Sequence, residues 1–142
     1  MSSVSPKNSI PPPFWGPYFW KVIHLTAYAY PDNPTKVDKE NYQTFYVSLM
    51  KVLPCDTCSE DAQREIIKTD WDKTLLNREN LLKWTYNFHD TVNKKLEKTS
   101  PTFEDFTNNI LKPPEPPPKD NTSLYICTIV ILIIMILYMC IR

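Results

Sequence analysis

The stretch Val37–Leu53, VDKENYQTFYVSLMKVL, places Tyr42, Phe45, Tyr46, Leu49 and Leu53 at three- and four-residue intervals. That spacing follows the turn of an α-helix and lays one apolar stripe along it. The segments on either side read the same way once their prolines are taken as punctuation, because proline is tolerated in a first helical turn and blocks an interior. Phe14 to Tyr30 is the first expected helix, with Pro17 in its opening turns and Pro31 closing it. A third is expected from about Cys55 to about Thr69. Asn77 can cap a fourth, whose stripe is Leu81, Thr85, Phe88, Val92 and Leu96. Thr102 followed three residues later by Asp105 resembles a capping box and opens a short fifth helix to about Leu111. No alternating strand pattern or Asn-Gly hairpin turn competes. The expected fold is all-α, a four-helix bundle with a short fifth helix.

The chain has 142 residues, with 14 prolines and a single glycine, and its 16 Lys and Arg cancel its 16 Asp and Glu. One small domain with flanks fits that length. Gly16 alone cannot build a dinucleotide fingerprint or a phosphate loop, which need several glycines where backbone turns tightly against phosphate. Rossmann enzymes and P-loop NTPases are therefore excluded. Zero net charge without a long block of Lys or Arg removes the electrostatic footprint of a nucleic-acid binder.

Four zones follow. Residues 1–13, MSSVSPKNSIPPP, read as a Pro-rich disordered or polyproline arm, with no apolar run of the kind a cleavable secretory signal carries. Residues 14–112 hold 16 of the 18 aromatic side chains and are the expected folded domain. Residues 113–123, PPEPPPKDNTS, read as a stiff Pro-rich linker. Residues 124–141, LYICTIVILIIMILYMCI, run 18 residues without a charge. At ~1.5 Å per residue they span most of a ~30 Å hydrocarbon layer, so a C-terminal transmembrane helix is expected. An anchor in that position is inserted after synthesis, which leaves the domain on the cytosolic side of a membrane.

Chemistry concentrates at Pro54-Cys55-Asp56-Thr57-Cys58. Two cysteines at i and i+3 of a helix start lie on one side of its first turn, close enough to form a disulfide. Unpaired amide groups there favour the thiolate, the reactive species in disulfide exchange, while Asp56, Glu60 and Asp61 oppose it. Several readings of the pair stay open on spacing alone. It is half of a zinc site if His24 and His89 complete it from distant helices, a thioredoxin-like motif without the strand-helix-strand context such a motif requires, or two inert buried thiols.

A second constellation is Trp20, His24 and Tyr28, at i, i+4 and i+8 on the first helix. His89 and Asn93 share one face of the fourth helix, with Lys95 and Lys98 a turn further on. The plain reading of the rings is a core stripe with a satisfied histidine. A planar heteroaromatic ligand carrying a pyrophosphate would also satisfy both sets, rings against ring and lysines against phosphate.

Trp15-Gly16-Pro17-Tyr18-Phe19-Trp20-Lys21-Val22-Ile23-His24, then Tyr28 and Pro31, then Cys55 to Cys58, then Trp84 and His89-Asp90-Thr91-Val92-Asn93-Lys94-Lys95-Leu96, resembles the Erv/ALR family of FAD-linked sulfhydryl oxidases. The three blocks agree in order and spacing across residues 14–112. The resemblance implies a helical bundle that holds FAD non-covalently, as a homodimer, and makes disulfides while oxygen becomes hydrogen peroxide. It implies that Gly16, Trp20, His24 and Tyr28 surround the flavin, that His89, Val92, Asn93 and Leu96 form the adenine-side segment, and that Lys95 and Lys98 lie near the phosphates or flavin. Cys58 would face the isoalloxazine ring, and Cys55 would be the outer, interchange cysteine. A substrate thiolate would attack Cys55 of the Cys55–Cys58 disulfide and release Cys58, which passes the electrons to the flavin.

Three departures qualify what carries over. Many members bear further cysteines, whereas residues 1–112 contain only this pair, so thiol-containing protein substrates or a thioredoxin-like relay protein must reach Cys55 directly. Asp90 replaces the asparagine usual after the histidine and adds a carboxylate near the adenine or phosphates. Cys127 and Cys140 lie in the charge-free stretch, 13 residues and about 20 Å apart as a helix, too far to pair. The minimal cysteine content is similar to that of oxidases of this family from large cytoplasmic DNA viruses, which work where glutathione otherwise keeps thiols reduced. A virion or host internal membrane is the location this implies. The alternative is a tail-anchored helical adaptor or envelope protein whose cysteine pair is structural or zinc-binding.

Overall fold

The computed structural model describes residues 8–113, 122, 126, 129–133, 135 and 136. Among these there is no strand, and the helices are α1 (Pro12–Tyr28), α2 (Lys36–Lys51), α3 (Asp56–Ile67), α4 (Trp71–Thr74), α5 (Arg78–Lys95) and α6 (Phe103–Asn109). The four longer helices are those the sequence predicts, and α6 is the predicted short one.

Their ends have local causes. α1 starts at Pro12, two residues earlier than expected, because Pro12 and Pro13 fill positions whose amides have no intrahelical partner. Thr35 and Asp38 form a reciprocal capping box at the start of α2. The Asn77 side chain accepts from the Asn80 amide at 2.9 Å and starts α5, and Thr102 accepts from the Asp105 amide at 3.1 Å to start α6. The turn α4, capped by Asp70, was not anticipated, since four residues are too few to show a period.

At its C-terminus α5 closes with a Schellman motif. Lys98 N–H donates to the Asn93 carbonyl at 2.9 Å and Glu97 N–H to the Lys94 carbonyl at 3.2 Å. The turning position, normally a glycine, is Glu97 with φ of 55°.

α1 packs on α5, α2 on α3, and α4 and α6 both on α5. The core between them is built from Ile23, Ala27, Tyr30, Tyr46, Met50, Ala62, Ile66, Leu81 and Phe88, with Leu53, Leu75, Leu82 and Ile110 around it. Two buried hydroxyls join its parts, Tyr46 to the Ile23 carbonyl at 3.0 Å and Tyr30 to the Leu75 carbonyl at 2.9 Å. Lys21 Nζ donates to the carbonyls of Ile110 and Lys112, which fastens the end of the domain to α1.

The expected stripes are only partly the buried ones. Of the stripe expected over Val37–Leu53, Tyr46 is buried on α2 and Leu53 is buried beyond the end of α2, which closes at Lys51, while Tyr42, Phe45 and Leu49 are half-buried and Met50, outside the stripe, is fully buried. Phe45 and Leu49 instead line a shallow surface groove with Asn41, Thr44, Ser48 and Val52. On α5, Leu96 is 56% exposed because the helix has ended and Leu96 is its C-cap.

The transmembrane helix expected at 124–141 falls largely outside the described residues, as do Cys127 and Cys140. Residues 126, 129–133, 135 and 136 are helical and exposed. Among the described residues no helix is long and apolar enough to cross a membrane.

Candidate functional site

Pro54 ends the chain that leaves α2, and Cys55 takes an extended conformation, φ −160° and ψ 118°, as the N-cap of α3. Its sulfur accepts from the Cys58 amide at 3.2 Å and, being in a disulfide, can only accept from the Thr57 hydroxyl at 3.3 Å. Cys55 and Cys58 are joined, with Cα atoms 5.2 Å apart. The next residue, Ser59, is buried and donates to the Met50 carbonyl at 2.7 Å, so the first turn of α3 is fixed to the last turn of α2.

The acidic surroundings of the pair are largely compensated. Asp61 is shared between Arg64 at 2.7 Å and Lys95 of α5 at 3.5 Å, and Glu60 lies 3.7 Å from Arg64. Exposed pairs of this kind are weak individually, but they set positive charge beside two of the three carboxylates near the pair. Cys55 is 7% exposed, while Cys58 is half-buried against the core.

The rings gather where α1, α5 and α6 meet. Trp20 stacks on His89 with centroids 3.9 Å apart and planes within 8°, and the edge of Phe88 meets Trp20 at 5.3 Å. His24 Nε2 is hydrogen-bonded to His89 Nδ1 at 2.9 Å, and Phe106 meets the His24 ring edge-on at 4.7 Å. Burial lowers the pKa of His24 to about 3, helped by the charges of His89 and Lys21. Burial likewise lowers His89 to about 4, helped by Lys98 and opposed by Asp90. Both imidazoles are therefore neutral at pH 7, and one shared proton lies between them.

His24 Nδ1 is buried and has no hydrogen-bond partner among the described residues. A buried polar atom left unpaired costs free energy, and here it sits beside a stacked ring pair. Gly16, one turn before Trp20, gives a second sign. A Cβ there would meet nothing within 4 Å, so no part of the described chain requires glycine, although glycine inside a helix costs about 1 kcal/mol relative to alanine. Aromatic plates, an orphaned ring nitrogen, an uncovered glycine face and the cations Lys95 and Lys98 fit a ligand with a flat heteroaromatic ring and phosphates.

The remaining expected residues are scattered by degree. Val92 is half-buried against the core, and Asn93 donates to Ser100 at 3.1 Å. Asp90 is bound by Lys94 at 2.7 Å, and Lys94 and Ser100 lower its pKa, so its added charge is neutralised within α5 and its turn. Tyr28, the last residue of α1, is 43% exposed and stands outside the ring cluster. The zinc alternative loses its sulfur donors, since Cys55 and Cys58 are bonded to each other. Phe88, Ser100 and Phe106 were not singled out as site residues. Phe88 and Phe106 had read only as stripe and short-helix residues, and no spacing rule assigns partners across helices.

Residues 17–112 match the family described as Erv1 / Alr. The chain is 38% identical over 115 residues to a probable FAD-linked sulfhydryl oxidase of Acanthamoeba polyphaga mimivirus, an alignment covering 80% of each chain. It is 33% identical over 94 residues to the FAD-linked sulfhydryl oxidase of African swine fever virus, covering 66% of this chain and 77% of that one. Its fold is similar to the crystal structure of the yeast Erv1 core, with a TM-score of 0.64 at 27% identity over 78% of this chain and 93% of that one.

Proposed function

Because the chain belongs to the Erv1 / Alr family, we propose that it is an FAD-linked sulfhydryl oxidase in which Cys55 and Cys58 are the redox pair. The observation that carries this reading is the Cys55–Cys58 disulfide at the start of α3, in a bundle whose α1 and α5 bring Trp20, His24 and His89 together around an orphaned nitrogen. The curated relatives are named as FAD-linked sulfhydryl oxidases, and a further solved neighbour is the FAD-binding domain of yeast Erv1.

A substrate thiolate attacks Cys55 Sγ, the Cys55–Cys58 bond breaks, and Cys58 leaves as a thiolate. Cys58 lies in the first turn of α3, where the positive end of the helix dipole favours the charge it acquires. A second substrate thiolate then attacks the substrate sulfur of the mixed disulfide, releasing oxidised substrate and leaving Cys55 and Cys58 reduced. When bound, FAD supplies the two-electron acceptor that reoxidises the pair and the route by which dioxygen becomes hydrogen peroxide. Trp20, His24, His89 and Gly16 would hold its ring systems, with Tyr28, Val92, Asn93 and Leu96 beside them and Lys95 and Lys98 opposing the phosphates.

The test is the visible spectrum of the purified chain, followed while dithiothreitol is added in air and peroxide is measured. A yellow protein that bleaches and recovers as peroxide accumulates supports the reading. A protein that takes up no FAD, or holds it without thiol-dependent peroxide, overturns it.

We further propose that 124–141 anchors the enzyme in a membrane with the bundle on the cytosolic side, and that it works as a homodimer. The exposed isoleucines at 126, 129, 131, 133 and 136 support the anchor, since an apolar helix that does not pack on the bundle needs lipid around it. The groove around Phe45 and Leu49 supports the dimer. Detergent-phase partitioning and protease protection test the first, and the mass of the flavin-loaded chain in detergent tests the second.

A further inference from the structure

We propose that residues 8–11 form a strap that closes over Cys55, and that an extended, cysteine-bearing segment of a protein substrate opens it by taking over the Pro54 carbonyl. Ile10 N–H donates to the Pro54 carbonyl at 2.9 Å, and that carbonyl belongs to the peptide bond joining Pro54 to Cys55. The Ile10 carbonyl in turn accepts from the Trp15 indole N–H at 2.8 Å. Ile10 is thus fixed through both of its main-chain polar groups, on the doorstep of the disulfide.

The sequence singles out this residue for the task. Pro11, Pro12 and Pro13 have no amide hydrogen, so Ile10 carries the last main-chain donor before Phe14. A residue that precedes proline is driven to extended backbone, and Pro11 itself adopts φ −56° and ψ 131°, close to polyproline geometry. The segment therefore reaches Pro54 as a short extended peptide, which is the form in which a flexible stretch of another protein would present its own amide.

The strap is held to the residue that precedes Cys55, and Cys55 itself is 7% exposed. This inference rests on the assignment of Cys55 as the sulfur the substrate attacks. Attack on a disulfide sulfur proceeds along the line of the bond being broken, so a thiolate must approach Cys55 from the side away from Cys58. At 7% exposure Cys55 leaves little surface for such an approach. When the strap leaves, the Pro54 carbonyl loses its donor. A peptide substrate replaces that donor with its own N–H, whereas a small thiol has none to give. The strap thereby favours protein thiols over small reductants.

The experiment uses the full chain in detergent, with the disulfide formed, in the absence of oxygen. Its readout is the rate at which 2-mercaptoethanol and a reduced cysteine peptide open the Cys55–Cys58 bond, followed by alkylation and mass measurement. Ile10→Pro removes the donor, and Trp15→Phe removes the indole N–H while keeping a ring, so the second variant stands in if the first fails to fold. Each is expected to raise the 2-mercaptoethanol rate about fivefold, the factor that loss of one ordinary net hydrogen bond in the closed form gives. The peptide rate is expected to rise less. Unchanged 2-mercaptoethanol rates in the folded variants overturn the strap, and an equal rise for the peptide overturns the takeover of Pro54. Because the exchange needs no flavin, altered exchange without thiol-dependent oxygen uptake would instead count against the oxidase reading.

Discussion

His24 Nε2 lies 2.9 Å from His89 Nδ1, a hydrogen bond between two imidazoles that burial holds uncharged. Their pKa values of about 3 and about 4 stand below the ordinary histidine value of 6.5. As pH falls below 6.5 the unfolded chain therefore binds protons before the folded one, and folding stability declines until the folded-state values are reached. For flavin-free protein the loss by about pH 5 is on the order of 1 to 2 kcal/mol per histidine, with little change above neutrality. Denaturant midpoints measured from pH 8 downward check this, and a midpoint independent of pH would show that the imidazoles titrate normally.

Gly16→Ala separates a packing role from a ligand role. The added methyl meets nothing within 4 Å of the protein and replaces a poor helix former, so the flavin-free variant is expected to be up to about 1 kcal/mol more stable. If the flavin lies against this face, the same variant retains less FAD after gel filtration. Gains in stability with undiminished FAD content would remove Gly16 from the proposed site.

Cys55 serves two purposes that substitution can divide. As the N-cap of α3 it accepts from the Cys58 amide, and serine accepts at least as well. Under reducing conditions Cys55→Ser is expected to melt close to the parent, while Cys55→Ala loses about 1 kcal/mol. Both variants should lose thiol oxidation entirely. Thermal melts in excess reductant, set beside peroxide assays, check the two roles independently.

Glu97 occupies the turning position after α5 with φ of 55°, a conformation that costs a side-chain-bearing residue about 1 kcal/mol or more. Glycine relieves that strain and returns part of the gain as unfolded-state entropy, so Glu97→Gly is expected to stabilise the protein by roughly 0.5 kcal/mol. A lower melting temperature would mean that the glutamate side chain contributes more than its backbone strain.

Helices were legible because each boundary carries its own chemistry: Asn77, Thr102 and the prolines announce themselves without reference to the rest of the fold. The four-residue α4 was not, since one turn has no period. The Cys55–Cys58 pair could be read from spacing, because both ends of the interaction sit in one helical turn. Trp20 and His24 were legible as neighbours for the same reason, but the bond from His24 to His89 crosses 65 residues, and nothing in a single sequence couples positions that far apart. Tyr28 shares their periodicity and yet stands outside the cluster, because periodicity fixes a face and not how far the neighbouring helix extends along it. The proline run marks Ile10 as the last main-chain donor before Phe14, but nothing in the sequence names Pro54 as its acceptor, because a main-chain bond has no side-chain signature.

The contact from Lys21 to Ile110 spans 89 residues, and it bears on the order in which a ribosome delivers the parts. Cys55 and Cys58 emerge together, with α2 already made to receive Ser59. His89, Phe106 and the carbonyls that hold Lys21 come only afterwards. During that interval the nascent chain displays two ordinary cysteines with no ring pocket to serve them. Trp20 and His24 are thus made first and meet their partners last, and the ring cluster closes only when nearly all of the described bundle exists.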